Sequence, residues 1–375
     1  MTIPFLLSLL LGAGLLGLAL SVEERRRAAP PLPPAAAAPP RGTATVLLPV
    51  RNEEDNIVPC LDGLLAQTAE PLVRVIDDGS EDATASLVAA RTPGTENTPG
   101  PRLTLLQAGP LAAGWPGKVH ALWVGSRGVE TPWLLLTDAD ARHAPELLAR
   151  VLAAAAEYRL DGVSVAGSQE ARGLGENLLT PAVFAVLDAV LGDWQAAAEG
   201  GGPAVANGQL ILVRRALWEE AGGFATLRTA PIDDVALARR LRAAGGRTGF
   251  FRAPDLLHVR MYRGWAEGWR GWRRNLGALF AEAPALALAT FAVLLLPPLT
   301  LAGLILTGHW TEALLLWSGG AAASALLRSG SGHHPAWGLL SPCDALALAA
   351  VLALGILDRR RNRPVRWKGR QVRAD

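Results

Sequence analysis

The chain is poor in cysteine, and the two it has, Cys60 and Cys343, lie far apart with no CxxC pattern. That implies no disulfide framework and suits a cytoplasmic catalytic domain. The six histidines show neither HxxxH nor His–Cys spacing, which argues against zinc. No GxGxxG comes after the first apolar strand, against a dinucleotide-dependent dehydrogenase. No GxxxxGKS or GxxxxGKT is present either, against a P-loop enzyme. Lysine is nearly missing: Lys118 and Lys368 are the only two among 36 basic residues. The formal net charge of +2 says little by itself, and no nucleic-acid partner is expected.

In excess is apolar sequence, half of all residues, concentrated in 2–20 and 285–357. Residues 43–260 have the mixed texture of a globular α/β domain and are numerous enough for a core of their own. Residues 2–20 carry no charge over about one bilayer thickness at 1.5 Å per residue. Positive charge comes after this run, at Arg25, Arg26 and Arg27, instead of preceding it as in a cleaved signal peptide. An N-terminal anchor over 1–22 is therefore expected, with the α/β domain on the cytoplasmic side of the cell membrane. Within a linker over 23–42, AAPPLPPAAAAPP at 28–40 reads as a stiff spacer holding the domain off the bilayer.

Membrane segments are expected again over 284–358, as apolar stretches near 285–307, 311–327 and 339–357. If all three cross, the basic tail over 359–375 ends outside, against the positive-inside rule. A re-entrant or interfacial stretch would resolve the conflict, and Pro297–Pro298 makes the first a candidate for a broken helix; the sequence leaves the number of spans open. Between domain and membrane, at 261–283, Trp265, Trp269, Trp272, Leu276 and Leu279 share one face of a helix. Arg263, Glu267, Arg270 and Arg274 take the other. This pattern describes a helix in the headgroup plane, or one whose tryptophans pack on the domain.

The domain alternates strands and helices. Apolar strands are expected at 44–50, 72–78, 103–107 and 133–138, with helices between, then a strand near 162–169 and a long helix over 176–198. A strand at 207–213 and a helix at 232–244 come next, and 92–101 reads as a surface loop. Near-continuous apolar strands in this order predict a mainly parallel sheet covered on both faces, with ligands at the carboxyl ends of its strands. Asp77 and Asp78 end the second strand; Asp138 and Asp140 lie at the end of the fourth.

Asp138-Ala139-Asp140 puts two hard oxygen donors on one turn, suited to bridging Mn2+ or Mg2+ to a diphosphate. Asp233-Asp234 opens a helix, where a carboxylate either answers the helix dipole or serves as a general base. Gly114-Trp115-Pro116-Gly117-Lys118 would bring an ammonium to a helix start near phosphates or base.

The segments VLLPVRNEEDNI (46–57), VIDDGSEDAT (75–84), GWPGK (114–118), TDAD (137–140), NGQLILVRR (207–215) and DDVALARRLRAAG (233–245) occur in one order. That ordered set resembles family 2 glycosyltransferases of GT-A fold. The N-terminal anchor, VRMYRGW at 259–265 and WKGR at 367–370 look like the branch with ceramide glucosyltransferases and with hopanoid-associated and carotenoid-acid glycosyltransferases. The resemblance implies that Pro49, Arg51, Glu53, Asp77, Asp78 and Lys118 line a nucleotide pocket. Asp138 would contact ribose or phosphate and share the metal held by Asp140. Asn207, Gly208 and Gln209, with Arg270 and Arg273, would face sugar and acceptor. Asp234 would be the inverting base, with Asp233 standing where a glutamate is commoner. The family's (Q/R)xxRW motif before the C-terminal membrane helices is incomplete, since that region reads Arg270-Gly-Trp-Arg273-Arg274. A literal RxxRW occurs only in the tail, at Arg363–Trp367.

The expected function is transfer of a hexose, UDP-glucose being the leading donor by resemblance alone, to a lipid or isoprenoid acceptor. A nucleotidyltransferase, which would release pyrophosphate, and a non-catalytic membrane scaffold are the alternatives.

Overall fold

A computed structural model describes residues 2–91, 102–192, 194–202, 204–228, 230, 233–281, 283–361, 365–367 and 370–372. The loop expected at 92–101, the side chain of Asp233, and Arg363, Lys368 and Gly369 of the tail lie outside the described residues.

An N-terminal helix, α1 (Ile3–Ala28), precedes β1 (Ala44–Val50), α2 (Ile57–Leu65), β2 (Leu72–Asp77), α3 (Thr84–Ala89), β3 (Leu103–Gln107), α4 (Gly117–Ser126) and β4 (Trp133–Thr137). Then come β5 (Ala141–His143), α5 (Leu147–Glu157), β6 (Gly162–Ala166), β7 (Ser168–Gln169), α6 (Gly173–Leu191), α7 (Trp194–Ala198), β8 (Leu210–Arg214) and α8 (Arg215–Glu220). The domain closes with α9 (Asp233–Ala243), β9 (Thr248–Arg252) and β10 (Leu257–Val259). Four long helices succeed it, α10 (Trp265–Ala281), α11 (Pro284–Leu306), α12 (Trp310–Gly330) and α13 (Cys343–Arg360), before a short hairpin at Val365–Trp367 and Arg370–Val372.

The main sheet has the order β3-β2-β1-β4-β8-β6-β9, parallel except where β8 pairs with β4 and β6. The strand β1 shows why its sequence is a continuous apolar run. Val46 and Leu48 pack on the side of α2 and α5, while Leu47 packs on the side of α4 and α9. Successive side chains point to opposite faces and both faces are covered. Burial of each such leucine contributes about 1.5–3 kcal/mol. A second sheet of β5, β10 and β7 sits beneath the turn at the end of β4.

The expected linker over 23–42 is corrected in two places. Arg25–Arg27 occupy the last turn of α1 instead of a linker, and Arg26 is buried against Asp188 of α6. The proline-rich segment does not hold the domain at a distance. Leu32 is 2 % exposed within the domain core, and Arg150 of α5 donates to the carbonyls of Leu32 and Pro33. Proline-rich backbone makes no internal hydrogen bonds, so its carbonyls remain available to such a donor.

The tryptophan face of α10 is largely covered by the chain itself. Trp272, Leu276 and Phe280 are buried with Leu179 and Val183 of α6 and with Leu348, Val351 and Leu352 of α13; Trp265, at the start of the helix, is 41 % exposed. Packing on neighbouring helices thus accounts for most of that stripe. Three described helices are long and apolar enough to cross a membrane: Ile3–Ala28, Gly173–Val190 and Pro284–Leu306. Pro297 and Pro298 lie inside the continuous α11.

Candidate active site

The carboxyl ends of β1, β2 and β4 open on one side of the sheet. The loops after β1 and β2 are zipped together: Asn52 N–H donates to Ser80 Oγ at 3.0 Å, Glu81 N–H to Asn52 Oδ1 at 2.8 Å, and Glu53 N–H to Thr84 Oγ1 at 2.7 Å. Asn52 holds a left-handed backbone at φ 51°, which asparagine tolerates better than most residues. Arg51 donates to the Asp78 carbonyl at 2.5 Å and the Gly79 carbonyl at 3.0 Å, so the guanidinium lies along the β2 end. Asp77 and Asp78 are both buried there, and Asp77 Oδ1 accepts from Ser80 N–H at 3.0 Å. Glu53 accepts from the Asn56 amide at 2.9 Å.

Across the opening, four groups from four separate segments converge. Lys118, on the first turn of α4, places Nζ 2.8 Å from Asp138 Oδ1. Gly208 N–H donates to Asp234 Oδ2 at 2.8 Å, and Asp234 Oδ1 accepts from Val235 N–H at 2.7 Å. A Cβ at Gly208 would lie 3.1 Å from Lys118 Nζ, 3.5 Å from Asp234 Oδ2 and 3.6 Å from Asp138 Oδ2. Glycine here lets the backbone approach an ammonium and two carboxylates at once. A small cleft opens at this point, lined by Pro49, Lys118, Thr137, Gly208 and Asp234, with Phe224 and Leu227 in its apolar wall.

Among the described residues no three His, Cys, Asp or Glu side chains cluster as a cage for a metal ion. The pair Asp138 and Asp140, flanking buried Ala139, fits a different arrangement. Mn2+ and Mg2+ are commonly held by one or two carboxylates with phosphate oxygens completing the sphere. The turn is held from behind. Arg260 N–H donates to the Asp140 carbonyl at 3.3 Å, while the Arg260 guanidinium donates to Glu176 of α6 at 2.9 Å. Glu176 also accepts from the backbone N–H groups of Arg172 and Gly264, each at 2.7 Å. Glu176 lies outside the sequence motifs, and Arg260, within VRMYRGW, carries no expected role; only the tertiary fold brings the two to the turn.

Beneath the turn, Thr137 Oγ1 donates to the Gln209 carbonyl at 2.7 Å and meets His143 Nε2 at 2.9 Å. Burial, with the Arg142 guanidinium alongside, drives the His143 pKa down to about 3, so the ring is neutral. The Cys60 thiol is pushed up by burial, which keeps it protonated in the core.

Pro49, Lys118, Gly208 and Asp234 line the cavity, Asp138 pairs with Lys118 beside it, and Asp77 and Asp78 stand at the neighbouring strand end. Asn207 flanks Gly208, its backbone N–H donating to Ser164 Oγ at 2.8 Å. Two expectations are corrected. Gln209 is turned inward and buried, with Oε1 accepting from Gln169 of β7 at 3.0 Å. Arg273 is paired with Asp358 of α13, which serves the helix packing. Arg270 is exposed on α10, and its acceptor-facing role stays an expectation.

Residues 45–182 match the family model described as glycosyl transferase family 2. Among solved structures, the mannosyltransferase PcManGT from Pyrobaculum calidifontis, in complex with GDP-Man and Mn2+, shares the fold at a TM-score of 0.54. The alignment has 23 % identity and covers 95 % of this chain and 98 % of that one. Glucosyl-3-phosphoglycerate synthase from Mycobacterium tuberculosis aligns more remotely, at a TM-score of 0.41, 19 % identity, and 64 % and 79 % coverage of this chain and that one. No curated protein matches the chain. With the family match running from β1 through the Asp138–Asp140 turn into α6, the chain carries a glycosyl transferase family 2 domain of GT-A fold and is a glycosyltransferase.

Proposed function

We propose that the protein is a membrane-bound inverting glycosyltransferase that moves a hexose from a nucleotide-sugar donor to a lipid or isoprenoid acceptor at the cytoplasmic face. The observation that carries this reading is the convergence of Lys118, Asp138, Gly208 and Asp234 at the mouth of one cavity. The nucleotide lies along the ends of β1 and β2, among Pro49, Arg51, Glu53, Asp77 and Asp78, and Lys118 turns its ammonium to the diphosphate. Asp138 and Asp140 would hold Mn2+ or Mg2+, which supplies Lewis acidity to the departing diphosphate.

Asp234 receives the proton of an acceptor hydroxyl, and the freed oxygen forms its bond to the anomeric carbon. The bond from that carbon to the β-phosphate oxygen breaks on the opposite face, giving inversion and a free nucleoside diphosphate. Two backbone donors, Gly208 N–H and Val235 N–H, fix the carboxylate so that its geometry is set before the acceptor arrives. Asn207 and Gly208 form the edge facing sugar and acceptor. Asp233 stands beside the base at the start of α9, in a supporting role.

The resemblance puts UDP-glucose first as donor, whereas PcManGT is a complex with GDP-Man. A panel of UDP- and GDP-sugars offered with Mn2+ or Mg2+ and lipid extract decides between them. Release of nucleoside diphosphate from one donor, increased by one lipid fraction, supports the reading. Pyrophosphate as product would transfer support to a nucleotidyltransferase.

A further inference from the structure

We infer that α6, α10 and α13 form a platform lying in the headgroup plane, that only α1, α11 and α12 cross the bilayer, and that the C-terminal tail stays on the catalytic side. This rests on the membrane-bound reading above and settles on one course for the chain beyond residue 284.

The crossing helices are identified by their registration. Gly12 of α1 lies against Gly319 of α12, and farther along the Glu23 side chain covers Gly330. The offset between the partners is the same at both contacts, so the two helices run parallel. Small residues at such contacts let helix backbones approach in an apolar medium. In the other direction, Leu301 and Leu304 of α11 pack with Leu11 of α1 and with Ala313 and Leu316 of α12. The end of α11 thus reaches the half of α1 remote from the domain, and Thr307–His309 forms the far-side turn. At about 1.5 Å per residue, α1, α11 and α12 measure roughly 39, 35 and 32 Å, each long enough for the hydrocarbon core; α12 is assigned to the crossing set by its length and its packing along α1, not by its composition. Leu10, Leu299 and Leu314 are exposed on their outer faces, as lipid contact requires.

Composition makes α6 a candidate span, but its anchors place it across the ends of the bundle. Arg328, near the end of α12, donates to the Asn177 carbonyl at 2.7 Å, and Arg26, near the end of α1, donates to Asp188 at 2.7 Å. About 16 Å of helix separates Asn177 from Asp188. Both points are nevertheless held by arginines at the same end of the crossing pair, and Arg26 also reaches the Leu327 carbonyl at 2.9 Å. A helix tied at both ends to one level lies in the plane.

The same reasoning applies to α13. Its first turn is held by Arg328 to Asp344 at 3.0 Å, and its last turn by the Arg273–Asp358 pair on α10. Gly264, immediately before α10, donates its N–H to Glu176 on the first turn of α6, and α10 ends where α11 begins to cross. Both ends of α13 therefore return to the catalytic side. This removes the parity conflict of three C-terminal crossings. Arg25–Arg27, Arg328 and Arg359–Arg361 then share one side, and Thr307–His309 carries no arginine or lysine.

The test uses the full chain in cell membranes, with Cys343→Ser as background and single replacements His309→Cys, Ser331→Cys or Arg361→Cys, probed with a membrane-impermeant maleimide. His309→Cys should label in intact cells, whereas Ser331→Cys and Arg361→Cys should label only after permeabilisation. Labelling of Arg361→Cys in intact cells would mean that α13 crosses and would overturn the inference. So would failure of His309→Cys to label in intact cells when it labels after permeabilisation. The labelling pattern does not depend on sugar transfer, so failure of the topology and failure of the proposed reaction remain separable.

Discussion

Gly208 and Asp234 lie on different segments, and the backbone N–H of the first donates to the carboxylate of the second at 2.8 Å. The glycine presents that N–H beside the Lys118–Asp138 pair, so the base side and the diphosphate side of the proposed reaction meet at one residue.

Replacing Asp234 with Asn keeps an acceptor for Gly208 N–H but removes the proton-accepting carboxylate. General-base losses are about 10²–10⁴-fold. The expected outcome is a fall of that size in kcat, with donor KM and thermal stability close to the parent, read by steady-state assay and melting curve.

Adding one methyl at Gly208 would press on Lys118 Nζ at 3.1 Å, a contact tighter than ordinary packing. The flexible lysine end can yield, so Gly208→Ala should fold normally. Displacing Lys118 from the diphosphate should raise donor KM by about tenfold, equivalent to about 1.4 kcal/mol of binding. Isothermal titration with the nucleoside diphosphate checks this directly.

Removing Glu176 leaves the Arg260 guanidinium and two backbone N–H groups without their shared acceptor. Breaking a fully buried pair costs about 3–5 kcal/mol, and with the Arg260 side chain 24 % exposed the loss here should fall below that range. Glu176→Ala should therefore lower the unfolding midpoint in detergent, and a concomitant rise in the half-saturating Mn2+ concentration would report slackening of the Asp140 turn.

His143 gives the fold a pH dependence. Its pKa is depressed to about 3 in the folded chain, below its ordinary value of 6.5, so the unfolded chain binds a proton first as pH falls. The stability associated with the neutral ring is complete above about pH 6.5 and declines towards pH 3, by up to about 1.4 kcal/mol per pH unit. In chemical unfolding at several pH values, His143→Gln should show a shallower decline over that window than the parent.

Much of the site could be read from the sequence because its parts sit at the ends of strands with unbroken apolar patterns. Asp77, Asp78 and Asp138 lie directly at the ends of β2 and β4, and Asp234 opens a helix with a clear apolar face. The features that escaped depended on contacts between remote segments. The strands β5 and β10 have three residues each, too few for a pattern, yet they support the Asp140 turn. The direction of Gln209 is set by Gln169, the docking of Leu32 by Arg150, and the pairing of Arg273 by Asp358. Composition alone also could not separate helices crossing a membrane from helices packed across their ends, since both are apolar.

The central claim is transfer of sugar to a lipid through Asp234. Its most direct test tracks radiolabelled sugar from the nucleotide donor into an organic-soluble product, in membranes carrying either the parent chain or Asp234→Asn. The label should move into the lipid phase with the parent and not with the variant. Equal transfer by both would contradict the assignment of Asp234, and label confined to water with an active, donor-consuming parent would contradict the lipid acceptor.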